Sequence, residues 1–173
     1  MSDPFAFPTF LVLITGSQSL VERPYGEAWA RHEIGLALEC ANGLVAGDAV
    51  GPDLWAREAA LLRPSLPSAF WHLNGTVQSA SGRVLGRWCP ESAVPPRGDP
   101  RRRRWPLARN EAMARALAQR AKRDGRDPMA YGLIDPDSPT EGTAHTLAAC
   151  RRLGVPTEWR RFVVDVPQSD RRG

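Results

Sequence analysis

The chain has 173 residues, 42% of them apolar and 24% charged, and carries a formal charge of +4. That size and mixture fit one soluble globular domain with its own core, in no need of disulfide or metal staples. No apolar run approaches the roughly 20 residues of a membrane-spanning helix. Residues 1–8 lack a basic stretch followed by a long apolar one, so no signal peptide and no membrane contact are expected, and the cytoplasm is the expected compartment. Cys40, Cys89 and Cys150 are odd in number and far apart, and His32, His72 and His145 are equally scattered, which argues against a disulfide framework and a zinc site; no metal and no cofactor are expected. The run Arg101–Arg104 alone accounts for the net charge, so the basic character is local.

In chain order, Phe10–Thr15 reads as a buried strand closed by glycine, and Tyr25–Cys40 as a helix that ends near Asn42-Gly43. Leu44–Gly47 is a second strand, Asp53–Leu62 a helix stopped by Pro64, and Ala69–Leu73 a third strand. Residues 74–106 break the pattern with several prolines and the arginine run. They read as an irregular insertion in which Asn74-Gly75 and Ser81-Gly82 turn a small hairpin. Leu107–Lys122 has the clearest helical stripe, with Met113, Ala116, Leu117 and Ala121 on one side, and Asp124-Gly125 ends it. Met129–Ile134 is the next strand, Gly142–Leu153 a helix, and Val155–Val166 supplies the last strand. The domain thus spans residues 9–166, with residues 1–8 and 167–173 as tails. Strands alternating with helices predict an α/β fold, with a mostly parallel central sheet and helices on both faces.

Three glycine turns follow strands and open helices: Thr15-Gly16-Ser17-Gln18, Gly47-Asp48-Ala49-Val50-Gly51-Pro52-Asp53, and Ser138-Pro139-Thr140-Glu141-Gly142-Thr143. Free amides and the positive end of a helix dipole make such turns anion sites. All three fall at carboxyl ends of strands, where open α/β sheets bind ligands. Ser17 offers a hydroxyl or a local cap. Asp53 is placed either to cap its helix or to face a ligand. Asp48 repels phosphate and suits a ribose hydroxyl. Arg109-Asn110 opens the strongest helix, where a cation opposes the helix dipole but matches a phosphate or carboxylate. His145 reads as structural. Glu141 and Asp48 are the candidate catalytic acids. Arg101–Arg104 with Trp105 reads as a solvated loop or, in a second reading, as a nucleic-acid contact.

The order and spacing of these segments resemble the YspA-like branch of the SLOG superfamily, the Rossmann-like group that also holds the Lonely Guy cytokinin-activating enzymes and the DNA-processing protein DprA. The residues that carry the resemblance are Thr15-Gly16-Ser17, Gly47-x-Ala49-x-Gly51-x-Asp53, Pro106 to Met113, and Gly142-Thr143-Ala144-His145-Thr146 followed by Gly154-Val155-Pro156. The resemblance implies a Rossmann-like three-layer sandwich. It also implies a pocket for a nucleotide or nucleotide-derived small molecule lined by Gly16, Ser17, Gly47, Gly51, Asp53, Arg109, Asn110, Gly142 and Thr143. Pairing of two copies through helices is implied as well. Gln18 and Glu141 stand where the family often has Arg, and Asp48 where it usually has Gly. Thr146 stands where the Lonely Guy enzymes carry a catalytic Glu. The expected function is therefore binding or sensing rather than hydrolysis of a nucleotide. Hydrolysis through Glu141 or Asp48, with Arg109 holding phosphate, is the first alternative, and DprA-like nucleic-acid binding through Arg101–Arg104 is the second.

Overall fold

Alternation along the first strand decides the layering. In β1 (Phe10–Gly16), Leu11 and Leu13 point to one face of the sheet, and Val12 and Ile14 to the other. Successive pairs of helices take opposite faces to cover them. The helices α1 (Gly26–Glu39) and α2 (Pro52–Leu61) bring Ile34, Leu38, Trp55 and Ala56 against Val12 and Ile14. On the other side, α3 (Trp105–Asp124) and α4 (Glu141–Arg152) bring Met113, Leu117, Leu147 and Cys150 against Leu11 and Leu13. Leu13, Leu117 and Leu147 are 0% exposed, and each buried side chain of this size stabilises the fold by roughly 1.5–3 kcal/mol. The computed structural model describes residues 10–138 and 141–163; the tails expected at 1–8 and 167–173 lie outside them, as do Pro139 and Thr140.

The remaining strands are β2 (Ala41–Ala46), β3 (Ser68–Trp71), β4 (Thr76–Gln78), β5 (Val84–Arg87), β6 (Asp127–Ile134) and β7 (Thr157–Arg161). Seven strands form one sheet in the order β5-β4-β3-β2-β1-β6-β7, parallel from β3 to β7, with β4 and β5 antiparallel. This is the α/β, Rossmann-like sandwich that the alternation of elements predicts. From β1 the chain runs outward through β2 and β3, then returns to the other side of β1 as β6 and β7. The reversal opens a crevice at the carboxyl ends of β1 and β6, the ordinary ligand position in such sheets. Among the described residues no helix is long and apolar enough to cross a membrane.

Three segments differ from the sequence reading by more than a residue or two at an end. Strand β2 begins at Ala41 and runs through Asn42-Gly43, the pair read as a helix stop. Gly43 belongs in the strand because Leu11 packs onto it, its Cδ2 lying 2.6 Å from where a Cβ would be. The insertion is more regular than expected: Gly75 and Gly82, both with positive φ, turn two successive hairpins, and β4 and β5 extend the main sheet. The last strand is Thr157–Arg161, shorter than Val155–Val166, whose final three residues lie outside the described ones.

Gly51 starts α2 at φ +89° and ψ −136°, with Pro52 in the first turn. Among the described residues a Cβ there would meet nothing nearer than 3.5 Å, so Gly51→Ala isolates backbone strain from crowding. The variant should lose about 1–3 kcal/mol in urea unfolding. A midpoint equal to that of the wild type would contradict the assignment.

Candidate functional site

The crevice is shaped by how closely β1, α2 and β6 approach at its floor. A Cβ on Gly16 would fall 2.4 Å from Pro52 Cγ and 2.7 Å from the Leu133 carbonyl oxygen, so only glycine lets the three elements meet. The Ser17 amide donates to the Leu133 carbonyl (2.9 Å), and its hydroxyl accepts from the Asp135 amide (3.1 Å). The Ser17 amide is thereby engaged within the protein, while its hydroxyl proton stays available to donate. Asp135 is held by Arg23, which donates to both carboxylate oxygens at 2.7 and 3.0 Å and also to Asp137. The Arg23 hydrogen bond keeps the Asp135 carboxyl below its usual range, against the effect of burial. This brace at one end of the crevice was not visible in the sequence, because Arg23 and Asp135 are remote in the chain and neither lies in a glycine turn.

Above this floor lies a cavity of about 330 Å³, at the small end of ligand pockets. From the expected set, Gly16, Ser17 and Gln18 line it from the end of β1 and the turn after it, and Asp53 from α2. Arg109 and Asn110 line it from α3, and Ser138, Glu141, Gly142 and Thr143 from the β6–α4 turn and α4. Three expected residues sit behind the cavity instead. Gly51 packs against the Ser17–Gln18 backbone. Gly47 backs onto Asp53 and Arg109, such that a Cβ would lie 2.3 Å from Asp53 Oδ2 and 2.9 Å from Arg109 Cζ. Asp48 faces the far side of Arg109.

Arg109 is 6% exposed. Its Nη1 donates to Asp48 Oδ1, and its Nε and Nη2 donate to Asn110 Oδ1 at 3.1 and 2.9 Å. One further N–H on each terminal nitrogen has no acceptor among the described residues. Asn110 Nδ2 then donates to the Gly142 carbonyl at 3.3 Å, joining α3 to the first turn of α4. Asp48 Oδ2 accepts from the Leu73 amide at 3.1 Å and lies 3.4 Å from His72 Nδ1. Burial lowers the His72 pKa, helped by the Arg57 and Arg109 charges and opposed by Asp48, so the imidazole is neutral near pH 7. His72 is a second residue that the sequence reading missed.

Asp53 is 4% exposed. Burial raises its pKa to about 6, in spite of the Arg109 charge and the Ala49 and Gly47 amides, with Asp48 adding to the rise. It does not cap its helix: the N-cap position is Gly51, and no side chain makes a capping bond. Glu141, the other acid at the cavity, is exposed. His145 lies outside the cavity, its Nε2 being 3.4 Å from Glu111 Oε1.

The arginine run forms a short 3-10 turn capped by Asp99, which also pairs with Arg101, and its four side chains are exposed. Trp105, expected as a stacking surface in the nucleic-acid reading, packs on Trp88 with ring centroids 4.9 Å apart and donates its indole N–H to the Leu73 carbonyl. A larger groove of about 640 Å³ runs along the opposite edge of the sheet between α3 and the amino ends of β2 and β3, and none of the expected site residues line it. Among the described residues no group of three or more His, Cys, Asp or Glu side chains is placed to hold a metal ion. No family model, curated protein or solved structure matches the chain.

Arg109→Met removes the shared partner of Asp48 and Asn110 and leaves buried acceptors without a donor. A loss on the order of 3–5 kcal/mol is expected, read as a fall in the urea midpoint; a loss below 1 kcal/mol would refute the bracing role.

Asp53 makes a separate prediction. In the unfolded chain its pKa is about 4, so below that value both states are protonated. Between about pH 4 and 6 the folded state keeps a proton that the unfolded state releases, and stability falls as pH rises. Relative to Asp53→Asn, the wild type should lose roughly 1.4 kcal/mol for each pH unit across that window and no more above it. Denaturation of both proteins at pH 4, 5, 6 and 7.5 measures the difference; a constant difference would contradict the burial argument.

Proposed function

We propose that the protein binds a nucleotide or a nucleotide-derived small molecule in the cavity above Gly16, as a binding or sensing domain. The observation that carries this reading is convergence. Segments around residues 17, 53, 109 and 142, distant in the chain, line one polar cavity at the switch point of the sheet. Gly142 and Thr143 lie in the first turn of the twelve-residue helix α4, whose leading amides and dipole favour an anion. Arg109 adds a buried positive charge with two N–H groups still available. The order of these segments is also the one that resembles the YspA-like branch of the SLOG superfamily.

The position of Asp48 removes one of the two candidate catalytic acids and leaves Glu141, which lines the cavity, as the acid of the hydrolytic alternative. Asp48 is bonded to Arg109 and the Leu73 amide, turned from the cavity, and so poorly placed to activate a water against a ligand. The nucleic-acid reading loses support for a similar reason, because Trp105 has its face on Trp88 and its N–H on a carbonyl. The same reading puts the protein in the cytoplasm, where nucleotides are made and consumed, and keeps helix-mediated pairing of two copies as part of the resemblance.

Gly142 allows a clean test. It is exposed and a Cβ there meets no atom of the described residues within 4 Å, so Gly142→Asp fits sterically among them. An acid in the first helical turn also favours the helix. Yet the new carboxylate would stand where an anion is proposed to bind. Titration calorimetry with AMP, ADP and ADP-ribose should show binding by the wild type, weakened tenfold or more in Gly142→Asp at an unchanged melting temperature. Failure of the wild type to bind any of the three, or equal binding by the variant, would overturn the reading.

A further inference from the structure

A cavity suited to an anion should not have a carboxylate in its wall, yet Asp53 is there and is 4% exposed. Its local duties do not explain it. It makes no capping bond, and no side chain among the described residues hydrogen-bonds to it. Arg109, the nearest cation, directs its bonds to Asp48 and Asn110. The Ala49 and Gly47 amides support it, but they leave the cost of its burial uncompensated, as the upward displacement of its pKa to about 6 records. An ionised carboxylate has about four acceptor positions, and a buried acceptor without a donor is costly. Water can occupy the remaining acceptor positions, and a ligand that displaces that water has to bring donors of its own.

Phosphate cannot supply them, since it carries charge of the same sign. The anion belongs at the α4 turn, and the part of the ligand over Asp53 must present hydroxyl or amine hydrogens. Two adjacent hydroxyls match the two oxygens of one carboxylate.

Building on the nucleotide reading above, we propose that Asp53 is the sugar-reading group of this cavity. It accepts from the 2′- and 3′-hydroxyls of a ribonucleotide whose phosphate lies at the first turn of α4, and so selects ribose over 2′-deoxyribose. Asp48, which the sequence suggested for the sugar, is instead the brace that holds Arg109. A guanine edge offers a comparable pair of N–H donors, and the choice of nucleotides separates the two.

The experiment is titration of the full chain at pH 7.5, above the Asp53 pKa, with AMP, 2′-deoxy-AMP, GMP and 2′-deoxy-GMP. AMP and GMP should bind with similar affinity, and each deoxy form at least tenfold more weakly. Asp53→Ala should bring the ribose-to-deoxyribose ratio close to one. Equal binding of AMP and 2′-deoxy-AMP by the wild type, or an undiminished ratio in Asp53→Ala, defeats this inference and leaves the nucleotide reading standing. GMP binding far above AMP irrespective of the 2′-hydroxyl likewise overturns it in favour of base recognition. Absence of binding by all four defeats this inference, and the nucleotide reading then stands or falls on the ADP and ADP-ribose titrations. Because the first comparison uses the wild type alone, it does not depend on the variant folding.

Discussion

One guanidinium ties the carboxyl edge of the sheet together. Through Asp48, Arg109 reaches the loop after β2 and the amide that follows β3; through Asn110 it reaches the first turn of α4. Those segments come from three separate stretches of the chain. A buried arginine needs such partners, because desolvation of its charge is tolerable only when geometry and hydrogen bonds offset it. The same requirement fixes the group in place, with Asp48 on one side of it and Asn110 on the other. Gly47 is part of the arrangement, since any larger residue would collide with both Asp53 and Arg109.

The fold was largely legible because its signals are local. Apolar runs ending in glycine, Pro52 and Pro106 near helix starts, and Gly125 after a helix each mark an element without reference to the rest of the chain. The errors came where a distant neighbour decides. Asn42-Gly43 has the chemistry of a helix stop and functions as the opening of a strand because β1 pairs with it and Leu11 covers the glycine. The hairpins of residues 72–87 look irregular alone; β3 provides the edge that makes them a sheet.

The cavity was legible to a similar depth. Glycine turns and helix starts named most of its lining, because those features are written in consecutive residues. What consecutive residues do not show is which partner each charge finds. Asp48 and Asp53 occupy one turn and read as interchangeable acids, yet the first turns outward to Arg109 and the Leu73 amide while the second turns inward beneath Gly47. Arg23, Asp135 and His72 carried no local mark, and their roles arise from contacts between residues far apart in the chain.

The placement of β1 at the middle of the sheet has a consequence for how the protein is made. Its left neighbour, β2, follows within a few dozen residues, but its right neighbour pairs Phe10 with Asp127 and Gly16 with Leu133. During synthesis one edge of the most apolar strand therefore stays bare until the ribosome has delivered most of the polypeptide. A nascent chain stalled before β6 would leave the amides and carbonyls of that β1 edge unpaired, a template for pairing with other chains. Demand for a holdase chaperone should thus peak late in translation and end abruptly once β6 emerges.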